Sequence, residues 1–170
     1  MLKKAIQLFP PLCRSHAMTS LRLLTEPDFD AVWAIFKSVF EHKYITEFHV
    51  AWNSRNSDLS FGFFDEQRVL IGFLLTKTVQ TNHQQIEFIG VSPLIQKGGV
   101  GTHLLRRVLT ESETHRYRVT LIPVNDERII GWYKKQGFVN WGSPRVSSYT
   151  GDLEQVMVYD IQSSGKQINS

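Results

Sequence analysis

The hydrophobic and polar positions change period several times along the chain. Residues 21–24 read as a first strand. Thr25-Glu26-Pro27-Asp28 then reads as a helix start, with Thr25 as N-cap, acids in the first turn and an early proline. Phe29, Val32, Trp33, Phe36 and Phe40 recur at helical spacing. A second, shorter helix is expected over 44–52, with Ile45, Phe48 and Trp52 on one side, followed by a polar loop over 53–58. Residues 60–64 and 69–79 flank Asp65-Glu66-Gln67 as a hairpin. The second arm is apolar on both faces over 69–75, as a central strand is.

Asn82-His83 turns into a strand over 85–91, which runs into a glycine-rich segment. Val100, Leu104, Leu105, Val108 and Leu109 share a helical face that fades near Thr114. A strand over 117–122, a helix over 126–136 and strands over 138–141 and 155–161 complete the pattern. The predicted order is β-α-α-β-β-β-α-β-α-β-β, in one domain over 19–162 with a polar tail at 163–170.

Composition narrows the classes. With 170 residues, 42% hydrophobic and 12% aromatic, the chain is long and apolar enough for one globular core. No apolar run approaches a membrane span, so no membrane partner is expected. The sequence pI of about 9.1 suggests a basic protein. However, Lys3, Lys4 and Arg14 lie in an acid-free stretch at 1–18, and without them cations and acids balance. A nucleic-acid partner, which needs a basic face, is therefore not expected.

The one cysteine, Cys13, excludes an intrachain disulfide, and the six histidines show no metal-ligand spacing, so no metal is expected. Residues 1–18 are expected to be a disordered leader; the alternatives are a mitochondrial-type transit segment over 1–17 and translation from Met18. The expected location is the cytoplasm, or the mitochondrion in the transit case. The expected assembly is a monomer or a homodimer.

The glycine segment carries the candidate chemistry. Gly98, Gly99 and Gly101 separate an apolar strand from an amphipathic helix, and glycine allows close backbone approach and positive φ. A strand, a tight turn and a helix start aim unsatisfied N–H groups at one point, as a pyrophosphate needs. The ATP-binding loop is absent, since no Gly-Lys is followed by Ser or Thr after its spacer. The dinucleotide fingerprint fails at Leu104, where its third glycine should stand.

Gln96-Lys97-Gly98-Gly99-Val100-Gly101 resembles the cofactor motif of the GNAT superfamily of acetyl-CoA-dependent N-acetyltransferases. The sequel Thr102-His103-Leu104 is similar to its histone-acetylating branch. A second block downstream agrees: Ile130-Gly131-Trp132-Tyr133-Lys134-Lys135-Gln136-Gly137-Phe138 resembles the helix that ends in Tyr-x-x-x-Gly-Phe. The motifs cover about 85–138, and the pattern of elements about 20–161. The resemblance implies an α/β (α+β mixed) fold: a central, mostly antiparallel sheet of six to seven strands flanked by four helices. It also implies acetyl-CoA as co-substrate and an amine-bearing small molecule or protein as acceptor. The alternative is a CoA-binding module that regulates or scaffolds without turnover.

Acetyl transfer to an amine sets chemical demands. A lysine-like amine of pKa about 10.4 is deprotonated in only about one molecule in 2,500 at pH 7, so a base helps. The leaving thiolate needs a proton, and a phenol can supply it. The resemblance places Tyr133 as this acid, where the histone-acetylating branch has Phe. It puts Gln85, which cannot take a proton, at that branch's base position. Glu87, two residues on and on the same face, is the candidate base; the competing reading is an ion pair with a neighbouring cation.

The backbone of Ile89, Gly90 and Val91 is expected to take pantetheine, with Gly90 at a bulge or bend. Gln96, Lys97, Gly98, Gly99, Val100, Gly101 and Thr102 are expected to hold the pyrophosphate. Asp126 stands where the family commonly has asparagine. Acceptor choice is expected from residues 41–46 and 142–151. Glu41, Asp58 and Asp152 are the acids expected to attract a cationic amine, too few for a dense acidic groove.

Overall fold

The apolar runs in the middle of the chain form the two longest strands, and the rest of the fold is arranged around them. The structure, a computed structural model, describes residues 19–95 and 98–159. The leader at 1–18, Gln96, Lys97, the polar tail and the end of the last strand lie outside the described residues. The chain runs β1 (Ser20–Leu23), α1 (Phe29–Val39), α2 (Ile45–Asn53), β2 (Phe61–Phe64), β3 (Leu70–Gln80) and β4 (His83–Val91). It continues α3 (Val100–His115), β5 (Arg118–Leu121), α4 (Glu127–Lys135), β6 (Val139–Asn140), β7 (Arg145–Val146), β8 (Leu153–Glu154) and β9 (Met157–Tyr159). Short 3-10 turns, Glu26–Asp28 and His42–Tyr44, precede α1 and α2.

Among the described residues the main sheet has seven strands in the order β1-β2-β3-β4-β5-β9-β6. Every pairing is antiparallel except β4 with β5. A parallel pair needs a long crossover, and α3 supplies it. This is the mixed, mostly antiparallel sheet with four helices that the resemblance implies. The strands β7 and β8 form a separate hairpin that the sequence pattern does not show.

Each face of the sheet buries its own core. Leu104, Leu105 and Val108 of α3 pack with Ile86, Val119, Leu121, Tyr133 and Phe138. On the other face Val32, Ile35 and Phe36 of α1 and Phe48, Ala51 and Trp52 of α2 pack with Phe73, Leu75 and Phe88. Aromatic rings dominate that second core: Phe36 and Phe48 lie 4.2 Å apart, and Phe36 meets Phe88 edge-on at 5.5 Å. Burying one such ring contributes about 1.5–3 kcal/mol.

The bulge is at Glu87, not at Gly90. Leu75 pairs with Phe88 and Thr76 with Ile86, so Glu87 is the extra residue. In a regular strand Ile86 and Phe88 would share a face. Here Ile86 joins the α3 core and Phe88 the α1–α2 core, because the extra residue resets the alternation. Gly90 keeps register with Phe73, and a Cβ there would come within 2.6 Å of that ring. Close packing, rather than a bend, is what requires glycine at 90.

Candidate active site

The parallel pair opens just past the bulge. The ladder of β4 with β5 runs from His83↔Arg118 to Ile86↔Leu121 and stops, while β4 continues to Val91. On that side the backbone of 87–91 has no strand partner among the described residues. Such an edge is a template for an extended ligand that can hydrogen-bond as a strand does.

The start of α3 faces this open edge. Gly99, at the N-cap, has φ +74, and no side chain caps the helix. The first-turn N–H groups of Val100, Gly101 and Thr102 therefore lack intrahelical partners, at the positive end of the helix dipole. Gly99 alone of the three glycines uses positive φ; Gly98 and Gly101 do not. A Cβ at Gly101 would meet Val91, Trp132 and Ile89 at 3.7 to 3.9 Å, ordinary contact distances. At Gly98 the nearest atom would be Ile95 at 3.4 Å. The protein's own packing thus does not require glycine at 98 or 101; what a side chain would obstruct there is approach from outside.

Tyr133 lies on the other side of α3's start, in α4. It is 6% exposed and packs edge-on against Trp132 at 4.7 Å and Phe138 at 5.7 Å. Burial pushes its phenol well above the ordinary tyrosine range. Asp126 caps α4, its carboxylate accepting from the Arg128 and Ile129 N–H groups at 2.9 and 3.2 Å. Those bonds hold its pKa below the ordinary value. The position left in question by the departure from asparagine thus has a helix-capping role.

Glu87 lies on the opposite face, toward α2, and does not meet Tyr133. Lys77 of β3 forms an ion pair with it at 2.7 Å. Three further carboxylates converge there. Glu47, in the first turn of α2, has its pKa raised by burial and then by the charges of Glu154, Glu87 and Asp152. Asp152 is bound by Lys43 at 2.8 Å and by the Tyr44 hydroxyl, so its own pKa is lowered. Burial and the Asp152 bond push Tyr44 up to about 12.

These contacts tie the α1–α2 connection to the segment leading into β8. Glu47 and Glu154 have no ion pair among the described residues. The expectation of sparse acids is corrected: four carboxylates gather where two loops meet. Asp58 is not one of them, since its loop binds β3 through Asn56. Glu41 contributes at the margin, 3.6 Å from Lys43.

A cavity of about 350 Å³ lies over the start of β4 and β5, lined by His83, Gln85, Thr120, Trp141, Arg145 and Val156 among others. His83 Nε2 and Thr120 Oγ1 share a hydrogen bond of 2.8 Å. Burial, then the charge of Arg118, holds the His83 pKa below the ordinary imidazole value. Sequence reasoning missed Glu47, Lys77, Glu154, His83 and Arg145. Lys77 falls in the expected strand over 69–79 and His83 in the expected turn before the next, but only the register shows what they face. No helix of the described residues is long and apolar enough to cross a membrane, and no group of metal-ligating side chains occurs among them.

Comparison with known proteins follows the same lines. A sequence model of the "Acetyltransferase (GNAT) family" matches residues 26–138. No curated protein matches the chain by sequence. Among solved structures, the ribosomal-protein-S18-alanine N-acetyltransferase from Escherichia coli is similar with TM-score 0.71 at 20% identity, covering 90% of this chain and 100% of that one. Arabidopsis thaliana Naa50, bound to the bisubstrate analogue CoA-Ac-MVNAL, gives TM-score 0.69 at 18% identity, covering 82% and 97%. The spermidine/spermine N-acetyltransferase SpeG from Vibrio cholerae gives 0.68 at 17% identity, covering 89% and 97%. At such identities the likeness is one of fold.

Proposed function

Because this chain belongs to the GNAT acetyltransferase family and is an acetyltransferase, we propose that it transfers the acetyl group of acetyl-CoA to a primary amine, on a protein or a small molecule. One observation carries the reading. The open edge of β4 and the uncapped start of α3 converge at Gly101, where the protein's own packing makes no demand for glycine.

Pantetheine pairs with the backbone of Ile89, Gly90 and Val91. The pyrophosphate takes the N–H groups of Gly99, Val100, Gly101 and Thr102, with Gln96 and Lys97 opening the loop; the Gly98 N–H is given to the Ile95 carbonyl at 2.9 Å, so Gly98 contributes only close backbone approach. Solved structures of similar fold that hold CoA or a CoA conjugate lend this support.

The amine approaches from the α1–α2 face. Its nitrogen attacks the thioester carbonyl, the carbon–sulfur bond breaks, and the amine proton passes to Glu87 directly or through water. Tyr133 donates its hydroxyl proton to the leaving thiolate. The raised phenol pKa keeps that proton in place at neutral pH. Lys77 holds the Glu87 carboxylate in position.

The test is an acetylation screen over histone peptides, polyamines, aminoglycosides and amino acids, reading CoA release, beside a melting curve with and without acetyl-CoA. Release with at least one amine class and a raised melting temperature are expected. A melting temperature unmoved by saturating acetyl-CoA overturns the reading.

A further inference from the structure

The first turn of α3 is ordered without using the N–H groups it presents. A side chain at the N-cap would accept from the second or third helical N–H and so compete with an anion for it. Gly99 has no side chain to do so, and the N–H groups of Val100, Gly101 and Thr102 stay uncapped.

His103 restrains the turn through the carbonyl instead. Its backbone N–H bonds to the Gly99 oxygen at 3.0 Å, which closes the first turn. Its imidazole Nδ1 meets the same oxygen at 2.9 Å. A carbonyl only accepts, so Nδ1 carries the hydrogen and donates it. Helix side chains lean toward the N-terminus, which is how a residue four places on reaches back to the cap. The Phe63 ring of β2 packs beside the imidazole, with centres 5.8 Å apart.

The Gly99–Val100 peptide is planar and trans, so its carbonyl and its N–H point in opposite directions. Two donors on the Gly99 oxygen therefore fix the line along which the Val100 N–H points, out of the start of the helix. We infer that His103 is a positioning residue for the cofactor: its imidazole holds the Gly99 carbonyl and, through the shared peptide plane, aims the Val100 N–H at the pyrophosphate of acetyl-CoA. This rests on the transferase reading and assigns a side chain to a site otherwise built of backbone. The gain is pre-organisation, since the turn is ordered before the ligand arrives rather than at the cost of its binding.

The same helix holds a matched control. His115, near the other end of α3, makes the same kind of bond, from Nδ1 to the Glu111 carbonyl at 2.8 Å. Both histidines are exposed, so replacing either leaves the core intact.

The experiment is a calorimetric titration of acetyl-CoA into the native protein and three variants. His103→Ala should raise the dissociation constant about fivefold, the order of one neutral hydrogen bond. His103→Asn, whose amide carries an N–H at the same remove from Cβ, should bind within about twofold of the native protein. His115→Ala, which loses the matching bond away from the site, should bind as the native protein does. A merely structural role would weaken both alanine variants alike and leave Asn, a poorer helix former, no better than Ala. The inference is overturned if His103→Ala binds as tightly as the native protein, if His115→Ala weakens binding as much, or if His103→Asn restores nothing. If acetyl-CoA does not bind the native protein, the transferase reading has failed instead.

Discussion

Burial sets the ionisation of Tyr133. A phenol inside the α3 core is costly to ionise, so it remains a donor across the physiological range. Tyr133→Phe keeps the ring and its contacts with Trp132 and Phe138 while removing the proton. Turnover should fall by about 10²-fold or more, the usual size of a general-acid contribution, with the acetyl-CoA thermal shift unchanged. Unchanged turnover would remove Tyr133 from the chemistry.

Glu87 calls for a different experiment, because it is both a candidate base and the partner of Lys77. Glu87→Gln should abolish the acidic limb of the kcat/KM profile against pH. A limb that stays in place assigns Glu87 to the ion pair alone. Tyr133 was legible because its spacing to Gly137-Phe138 is fixed by one helix and its end. Lys77 was not, because its meeting with Glu87 depends on a bulge that no alternation pattern announces.

At the scale of elements, short clips matter more than long periodic stretches. The Asp126 cap satisfies two otherwise orphaned N–H groups of α4, the helix that carries Tyr133. Asp126→Ala should lower the midpoint of chemical denaturation, with Asp126→Asn recovering most of the loss. A second clip joins β1 to the turn before α1. Arg22 holds the Asp28 carboxylate at 2.8 Å through both oxygens, and Thr25 donates to it as well, lowering its pKa to about 2.

A carboxyl whose pKa is depressed on folding contributes stability above its unfolded value of about 4 and loses it as pH falls toward 2. Solvent screening leaves about 1 kcal/mol of that, since Arg22 is half exposed. Asp28→Asn should remove this acid-labile part, seen as a flatter stability curve between pH 4 and 2. The helices and the long strands were readable from period alone. The β7–β8 hairpin was not, because two strands of two residues each leave no period to read, and its Gly142 and Gly151 signal only turns.

At the scale of the molecule, the sheet brings distant stretches to one point. Residues 47, 87, 152 and 154 are scattered through the chain, so counting acids in one loop could not find their cluster. Position 101 shows the same principle for the cofactor. Gly101 lies in the first turn of α3 without positive φ, and a methyl group there would meet only ordinary contacts.

Gly101→Ala should therefore stabilise the unliganded protein by about 0.5–1 kcal/mol, by limiting the unfolded chain and favouring helix. If the first turn of α3 cradles a pyrophosphate, the same methyl stands where the ligand's oxygens must approach. At 100 times its dissociation constant a ligand adds about 2.7 kcal/mol to the native protein, and the variant should lose much of that increment. The expected signature is a melting temperature raised without acetyl-CoA and a smaller rise when it is added. A variant that gains on both measurements would mean that the glycine keeps the turn open for nothing, and the cofactor would have to be sought elsewhere.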